Sequence, residues 1–361
     1  MRVLMAMSGG VDSSVAAALL CEAGYDVIGI SMLLAGQAEG KEGSCCSLDD
    51  FQDARRVAEQ LAIPYYVLNL KEEFHRRVIN VFTEEYLRAR TPNPCLLCNR
   101  DLKFDLLWRR AQELGADYVA TGHYARIARD QASGRCRLLR GRDERKDQSY
   151  FLFTLTQEQL SRTLFPIGDL TKTQVREKAR TLGLQVAEKP ESQEICFVPD
   201  RNYARFIEAR LPADRFRPGE VVDAEGKVLG THPGVQRFTI GQRRGLGVSG
   251  STRPLYVTSI DAASARVTVG PKEQLIALGL VANEVNWIEG IPSGEVHVEV
   301  KVRYRHPAVA ARVRPNGGNT VQVFFEDACP AVTPGQAAVF YCGEQVLGGG
   351  WIERALFETE S

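Results

Sequence analysis

Met5-Ala6-Met7-Ser8-Gly9-Gly10-Val11-Asp12-Ser13-Ser14 decides the fold. Arg2–Met7 is a short apolar run that reads as a strand. Ser13–Ala23 carries Ala and Leu on one face and reads as a helix. Between them, two adjacent glycines let the backbone turn tightly and approach a ligand closely. The helix that follows offers unpaired N–H groups and the positive end of its dipole. Ser8, Ser13 and Ser14 add hydroxyl groups. Such a unit cradles a phosphate or pyrophosphate. It has neither the lysine of a Walker loop nor the GxGxxG spacing of a dinucleotide fold. A plain strand-to-helix turn with a serine cap would explain Gly9-Gly10 alone, but not the whole strand–SGGxDSS–helix unit.

Outward from this loop, strand and helix patterns alternate. Asp26–Leu33 and Tyr65–Leu70 read as strands, Leu48–Leu61 and Asp101–Leu114 as helices, and Tyr118–Thr121 as a strand. Lys71–Arg90 reads as one long amphipathic helix. Residues 91–99, TPNPCLLCN, read as a loop because of their two prolines. The alternation implies an α/β, Rossmann-like parallel-sheet catalytic domain covered on both faces. Met32 ends the second strand at the carboxyl edge, where such sheets bind ligands, though a core methionine would look the same. From about residue 215 short strand-like runs and turn signals take over. Val296–Tyr304 alternates at period two, and Thr320–Phe325 and Ala337–Tyr341 are also strand-like. The expected division is 1–205 for the catalytic domain, 206–275 for a small β-rich central domain and 276–361 for a C-terminal β-barrel.

A chain of 361 residues and 40.0 kDa exceeds one ordinary core. No run of 18 apolar residues occurs, so no membrane span is expected. The opening MRVLMAMSGG lacks the features of a secretory signal, and a cytoplasmic location is expected. Lys plus Arg number 45 and Asp plus Glu number 45, a net charge of zero. That neutrality is an average. Residues 201–275 hold 12 basic and 7 acidic residues, and residues 125–149 hold 8 and 4. Those two stretches suit a local phosphate-binding surface.

Nine cysteines, an odd count without a signal, suggest thiols kept for chemistry or metal in a reducing compartment. Cys95-Leu96-Leu97-Cys98 stands just before a helix, whose N-terminus favours thiolate. Alone, this C-x-x-C is open to three readings: a redox pair, half of a zinc site, or chance. Tetrahedral zinc would need Cys196 and a histidine such as His123. Cys45 and Cys46 are adjacent and poor partners for each other. Cys21, Cys136, Cys329 and Cys342 read as small core residues.

Seven motifs then occur in order. They are Ser8–Ser14; Thr91-Pro92-Asn93-Pro94 with Cys98-Asn99; Thr121-Gly122-His123-Tyr124; Lys146–Phe151; Ile195-Cys196-Phe197; Gly241–Gly247; and Arg303-Tyr304-Arg305. The first resembles the loop of the N-type ATP pyrophosphatases, which cleave ATP between the α and β phosphates. Together, from residue 1 to about 353, they resemble the bacterial tRNA-specific 2-thiouridylases.

The resemblance implies ATP at Ala6, Met7, Ser8, Gly9, Gly10, Val11, Asp12, Ser13, Met32 and Gly122. Asp12 would act near the phosphates, through Mg²⁺. The wobble-uridine 2-oxygen would be adenylated and then replaced by sulfur, giving 2-thiouridine, AMP and pyrophosphate. Cys196 would carry the sulfur as a persulfide, and Cys98 would attack or resolve it, with a Cys98–Cys196 disulfide as one outcome. Asn93, Pro94 and Cys95 match the loop that holds the flipped base. His123, Lys146, Asp147, Gln148, Tyr304, Arg305 and Gln336 match other tRNA-contacting positions. The implied partners are a tRNA with a wobble uridine and a sulfur donor, either a cysteine desulfurase or a relay protein. One departure stands out: well-known members carry Asp where this chain has Cys95. A second route is therefore open, with a [4Fe–4S] cluster held by Cys95, Cys98 and Cys196. Two other classes compete: an ATP pyrophosphatase adenylating a small molecule, and a non-catalytic RNA- or zinc-binding protein. The cysteine set disfavours the first, and the complete SGGxDSS loop disfavours the second.

Overall fold

The computed structural model describes residues 1–34, 48–190, 195–198, 200, 202–248 and 253–357. Cys45 and Cys46, and residues 191–194 just before the Ile195-Cys196-Phe197 motif, lie outside the described residues. The chain divides into two compact units. The first holds Met1–Ile79, Pro94–Arg201 and Glu344–Leu347, and the second holds Asn80–Asn93, Asn202–Gly343 and Gly348–Ser361.

In chain order the elements begin β1 (Arg2–Ala6), α1 (Val11–Glu22), β2 (Asp26–Leu33), α2 (Leu48–Gln60), β3 (Tyr65–Asn69), α3 (Lys71–Phe74) and α4 (Asn80–Leu87). There follow α5 (Pro94–Leu97), α6 (Leu107–Glu113), β4 (Tyr118–Ala120), β5 (Ala125–Arg129), β6 (Cys136–Arg140), α7 (Gln157–Ser161), β7 (Thr163–Leu164) and α8 (Lys172–Thr181). The first unit is built on a five-stranded parallel sheet of order β3-β2-β1-β4-β7. β1 lies inside it and is buried on both faces. Val3 and Met5 pack with Val15 and Ala16 of α1 and Val175 of α8, whereas Leu4 packs with Ile28, Ile30 and Leu107. The alternation of a strand sends neighbours to opposite faces, so both faces must be apolar. β5 and β6 form an antiparallel hairpin, extended where Leu138 and Leu139 pair with Val346 and Gln345.

Two segments differ from the sequence reading. Lys71–Arg90 is not one regular helix: α3 passes through a π-helical stretch, His75–Ile79, into α4. The run 91–99 is not wholly a loop. The chain turns helical at Pro94 and continues through a second π-helical stretch, Cys98–Leu106, into α6. A proline in the first helical turn loses no hydrogen bond and has its φ preset for a helix, so Pro94 starts this helix rather than breaking it.

The second unit continues with α9 (Tyr203–Glu208), β8 (Gly219–Val222), β9 (Val228–His232), β10 (Tyr256–Asp261) and β11 (Arg266–Gly270). β12 (Ile276–Trp287), β13 (Val296–Lys301), β14 (Val309–Pro315), β15 (Val321–Pro330), β16 (Ala337–Cys342) and β17 (Gln345–Leu356) complete the chain. Tyr86 of α4 stacks on Tyr203 at 4.5 Å. Strands β10-β11-β8-β9 form a four-stranded sheet around Val221, Val257, Val267 and Val269. β12 pairs with both β15 and β17, which closes the order β12-β15-β14-β13-β16-β17 into a six-stranded barrel and leaves no open edge. Of the cysteines read as core, Cys136 and Cys329 are buried and Cys21 is half-buried. Cys342 is exposed, because it is the last residue of β16, where the chain leaves the buried strand for an exposed turn. Among the described residues no helix is long and apolar enough to cross a membrane.

Leu4 is fully buried. Leu4→Ala should cost about 2–5 kcal/mol, read as a lower urea midpoint at unchanged slope. A midpoint matching the wild type would place the core of the first unit elsewhere.

Candidate nucleotide and thiol site

The strand order reverses between β1 and β4, and at such a switch point the loops leaving adjacent strands diverge and open a crevice. Ser8–Gly10 leaves β1 there, and Thr121–Tyr124 leaves β4. α1 begins at Val11, with Gly10 as its N-cap and no side-chain cap. Its first turn therefore offers backbone N–H groups and a positive dipole end to an anion. The serines instead brace the loop: Ser13 Oγ accepts from the Ser8 N–H at 3.1 Å, and the Ser13 and Ser14 hydroxyls both donate to the Gly10 carbonyl. From β2, Ser31 donates to the Met7 carbonyl at 2.6 Å, and Tyr65 donates to Ser31. Met32 is half-buried at the end of the same strand. A Cβ on Gly122 would lie 2.7 Å from the Ser13 nitrogen and 2.8 Å from the Asp12 carbonyl carbon. The β4 loop thus rests directly on the first turn of α1, with no space for a side chain.

Asp12 is in that first turn, and alone it would repel a phosphate. It is not alone: Lys172 Nζ donates to Oδ1 at 2.7 Å and Oδ2 at 2.8 Å, and the Tyr124 hydroxyl donates to Oδ1 at 2.7 Å. The Lys172 side chain is only 11% exposed, so water screens this pair poorly. Lys172 is the first residue of α8, which Thr171 and Gln174 start as a reciprocal capping box. The Lys172 N–H itself donates to Asp143 at 2.9 Å. Sequence reading missed Lys172. Its only local signal is the T-x-x-Q capping pattern, which announces a helix and says nothing of the helix's target.

The residues expected to touch tRNA in this unit are mostly directed inward. Asp147 is buried; one oxygen accepts from the Gly141 and Ser149 N–H groups, the other from the Ser149 hydroxyl. Gln148 accepts from the Tyr124 N–H and gives its own N–H to the Tyr124 carbonyl, which fixes the tyrosine that reaches Asp12. Lys146 is half-buried. His123 is buried between Phe104 and Phe165, with Nδ1 2.5 Å from the Thr121 hydroxyl. Pro94 is buried at the start of α5. The second unit holds Asn93, Tyr304, Arg305 and Gln336. Asn93 is half-buried. Tyr304 and Arg305 lie in the turn after β13, the arginine exposed. Gln336 donates to the Thr91 carbonyl at 2.8 Å, two residues before Asn93.

Cys95 is exposed, and Cys98 and Cys196 are half-buried. Cys98 opens the second π-helical stretch, a geometry that often marks functional positions. Phe197, next to Cys196, is buried edge-on against Phe74 at 5.5 Å. Phe74 ends α3, which touches the stretch that Cys98 opens. Among the described residues no group of three His, Cys, Asp or Glu side chains is arranged to hold a metal ion. Cys95, Cys98 and Cys196 therefore do not fit a resident iron–sulfur cluster in this structure. Asp12 faces an ammonium, which does not suit a bare cation beside it.

A parallel sheet with a glycine phosphate loop at its switch point defines a nucleotide-binding protein of the HUP-domain class. Residues 1–200 match the family described as tRNA methyl transferase HUP domain. Residues 204–271 match its PRC-barrel domain, and 278–352 match the aminomethyltransferase beta-barrel domain. The chain is 56% identical over 363 residues to the tRNA-specific 2-thiouridylase MnmA of Geobacter metallireducens, covering 99% of this chain and 98% of that one. It is 55% identical to the protein of that name from Geotalea uraniireducens, covering 98% and 96% of the two chains. For the Clostridium perfringens protein the figures are 49%, 98% and 99%. The chain belongs to the tRNA-specific 2-thiouridylase family.

Two predictions follow from the geometry. Gly122→Ala should abolish nucleotide binding in equilibrium dialysis, because its Cβ meets backbone on both Asp12 and Ser13; unchanged affinity would remove the loop from the site. Burial, with Lys103 adding to it, holds the His123 pKa well below its ordinary value. As pH falls, the unfolded chain takes up that proton first. The stability contribution is intact above about 6.5 and is lost between there and the depressed folded value. His123→Phe should flatten the acid side of the stability–pH curve, as measured by chemical denaturation at a series of pH values.

Proposed function

We propose that the protein is a tRNA-uridine 2-sulfurtransferase that uses ATP to activate the wobble uridine. One observation carries this reading. An uncapped helix N-terminus, with Asp12 neutralised by Lys172, shares a unit with Cys98 and Cys196, in a chain that matches named 2-thiouridylases end to end. The division into 1–205, 206–275 and 276–361 is part of the proposal, with tRNA held by the two later domains as well as by the first.

ATP would lie with its phosphates on Ser8–Ser13, beside Gly122, and its base toward Met32. The α1 amides supply the positive field for the departing pyrophosphate, and Lys172 offsets the Asp12 charge that would oppose it. The uridine 2-oxygen forms a bond to the α-phosphorus, and the bond from that phosphorus to the bridging oxygen breaks. The adenylated oxygen is now a good leaving group. Terminal sulfur of a Cys196 persulfide bonds to C2, and AMP leaves with the oxygen. Attack of Cys98 on the other persulfide sulfur breaks the S–S bond and leaves a Cys98–Cys196 disulfide, which an external thiol reduces before the next round. Persulfide sulfur comes from a desulfurase or relay protein. Asn93, Pro94 and Cys95 would hold the flipped base, and His123, Lys146, Asp147 and Gln148 would shape the first unit's tRNA surface from within. Tyr304, Arg305 and Gln336 belong to the tRNA contact of the second unit.

Pyrophosphate release from ATP should require substrate tRNA and vanish in Asp12→Ala. Cys196→Ser should still release pyrophosphate but form no 2-thiouridine, as read by nucleoside mass spectrometry. Normal 2-thiouridine from Cys196→Ser would remove the carrier role. Anaerobically isolated protein should work from a persulfide donor without iron or acid-labile sulfide; activity that depends on both would favour the cluster route.

A further inference from the structure

The resemblance puts Mg²⁺ on Asp12, but the oxygens of Asp12 already have donors. Lys172 Nζ donates to Oδ1 at 2.7 Å and to Oδ2 at 2.8 Å, and the Tyr124 hydroxyl donates to Oδ1 at 2.7 Å. A carboxylate offers about four lone-pair positions, and these hydrogen bonds fill most of them. Mg²⁺ demands oxygen ligands at about 2.0–2.1 Å in a near-octahedral array. On either Asp12 oxygen such an ion would stand beside an ammonium, two positive centres on one carboxylate. The surroundings of Asp12 suit a counter-ion and not a metal ligand.

Lys172 is built into this place. Its side chain is only 11% exposed, and its backbone N–H donates to Asp143 at 2.9 Å. It opens α8, whose start is fixed by reciprocal bonds: the Thr171 N–H donates to Gln174 Oε1 at 2.8 Å, and the Gln174 N–H donates to Thr171 Oγ1 at 3.3 Å. Val175 and Ala179 of α8 share a core with Val15 and Ala16 of α1, the helix whose first turn carries Asp12. Tyr124 is held as firmly, because Gln148 brackets its peptide. The Asp12 side chain keeps 32% exposure. Its charge would therefore reach an anion on the loop if the ammonium did not oppose it.

We propose that Lys172 is a positioning residue for nucleotide binding that acts through Asp12, and that Asp12 is its counter-ion and not a divalent-cation ligand. The pair keeps the loop receptive to phosphate with no metal on the carboxylate. Loss of the ammonium alone turns a bare carboxylate toward the phosphates and makes Asp12 a cation site. This deepens the nucleotide reading of the loop and rests on it.

Binding of an α,β-methylene analogue of ATP to the full chain is measured by titration calorimetry in Mg²⁺ and in EDTA, and the ratio of the two affinities is compared across variants. Lys172→Met should raise that ratio about tenfold or more, since an unpaired unit charge a few ångström from a phosphate repels it by at least that much near a protein surface. Asp12→Asn added to Lys172→Met should return the ratio to the wild-type value, a rescue that a merely structural lysine would not show. Electron paramagnetic resonance of Mn²⁺ without nucleotide should find an added bound ion in Lys172→Met alone. A ratio that Lys172→Met leaves unmoved, or one that falls below wild type in the double variant, overturns the proposal. So does Mn²⁺ bound by the wild type and lost in Asp12→Asn. Circular dichroism checks folding. Should Lys172→Met not fold, Asp12→Asn decides: its analogue affinity in Mg²⁺ should stay at or above that of the wild type, and a loss of about tenfold overturns the counter-ion role. A wild type that binds no analogue in either buffer would sink the nucleotide reading, and this proposal with it. Binding with the opposite metal pattern would sink only the role given to Lys172 and Asp12.

Discussion

The ammonium of Lys172 makes this site workable. A carboxylate in the first turn of a helix is favoured by the dipole, yet it opposes any phosphate brought to the same amides. With Lys172 at 2.7 Å the carboxylate is neutralised, and the loop presents a positive field. The pair is also structural. Asp12 belongs to the helix after β1, Tyr124 to the loop after β4 and Lys172 to α8, so one charge cluster draws together three parts of the chain. Much of the neighbouring polar structure serves to hold these three in place. Asp143 receives the α8 N-terminus, Gln148 brackets the Tyr124 peptide, and Asp147 ties down the turn that carries Gln148.

Close packing of backbone on backbone is the second constraint. Gly122 touches the first turn of α1, and Gly9 touches the start of α2. Both contacts lie at the carboxyl edge of the sheet, where the reversal of strand order parts the connecting loops. A side chain at either position would push the amides away from where an anion must sit. The proposed phosphate site is therefore a product of sheet topology as much as of the SGGxDSS motif. The thiols follow a different logic. Cys98 is fixed by a helix that starts at a buried proline, while Cys196 is fixed on one side by the burial of Phe197 against Phe74.

Much of this was legible from residue order. Alternating strands and helices around an apolar β1 imply a parallel sheet covered on both faces, and the period-two runs beyond residue 215 read as short strands of a β-rich remainder. Local rules failed where one residue type permits two outcomes. Pro92 and Pro94 read as breakers, but Pro94 occupies the first turn of a helix, the one place that tolerates it. Lys71–Arg90 reads as a single amphipathic helix, yet it takes π geometry midway, a matter of local packing that periodicity does not report. Cys342 looks like a small core residue and is exposed, because the strand ends at it and an exposed turn follows.

The sequence by itself determined the glycine turn between β1 and α1, the α/β character of the first part, the β character of the rest and the family. Each depends on short-range patterns or on motifs met in order. Only the tertiary structure decided that Asp12 is paired, since its partner lies 160 residues away. It alone decided that His123 and Asp147 face inward, that β12 closes a barrel on β17, and that Lys189 reaches the Gly9 carbonyl. The physical reason is common to all of these. A charged or polar side chain carries no sequence mark of whether it meets water or a distant partner. That choice is made when packing removes water from around it.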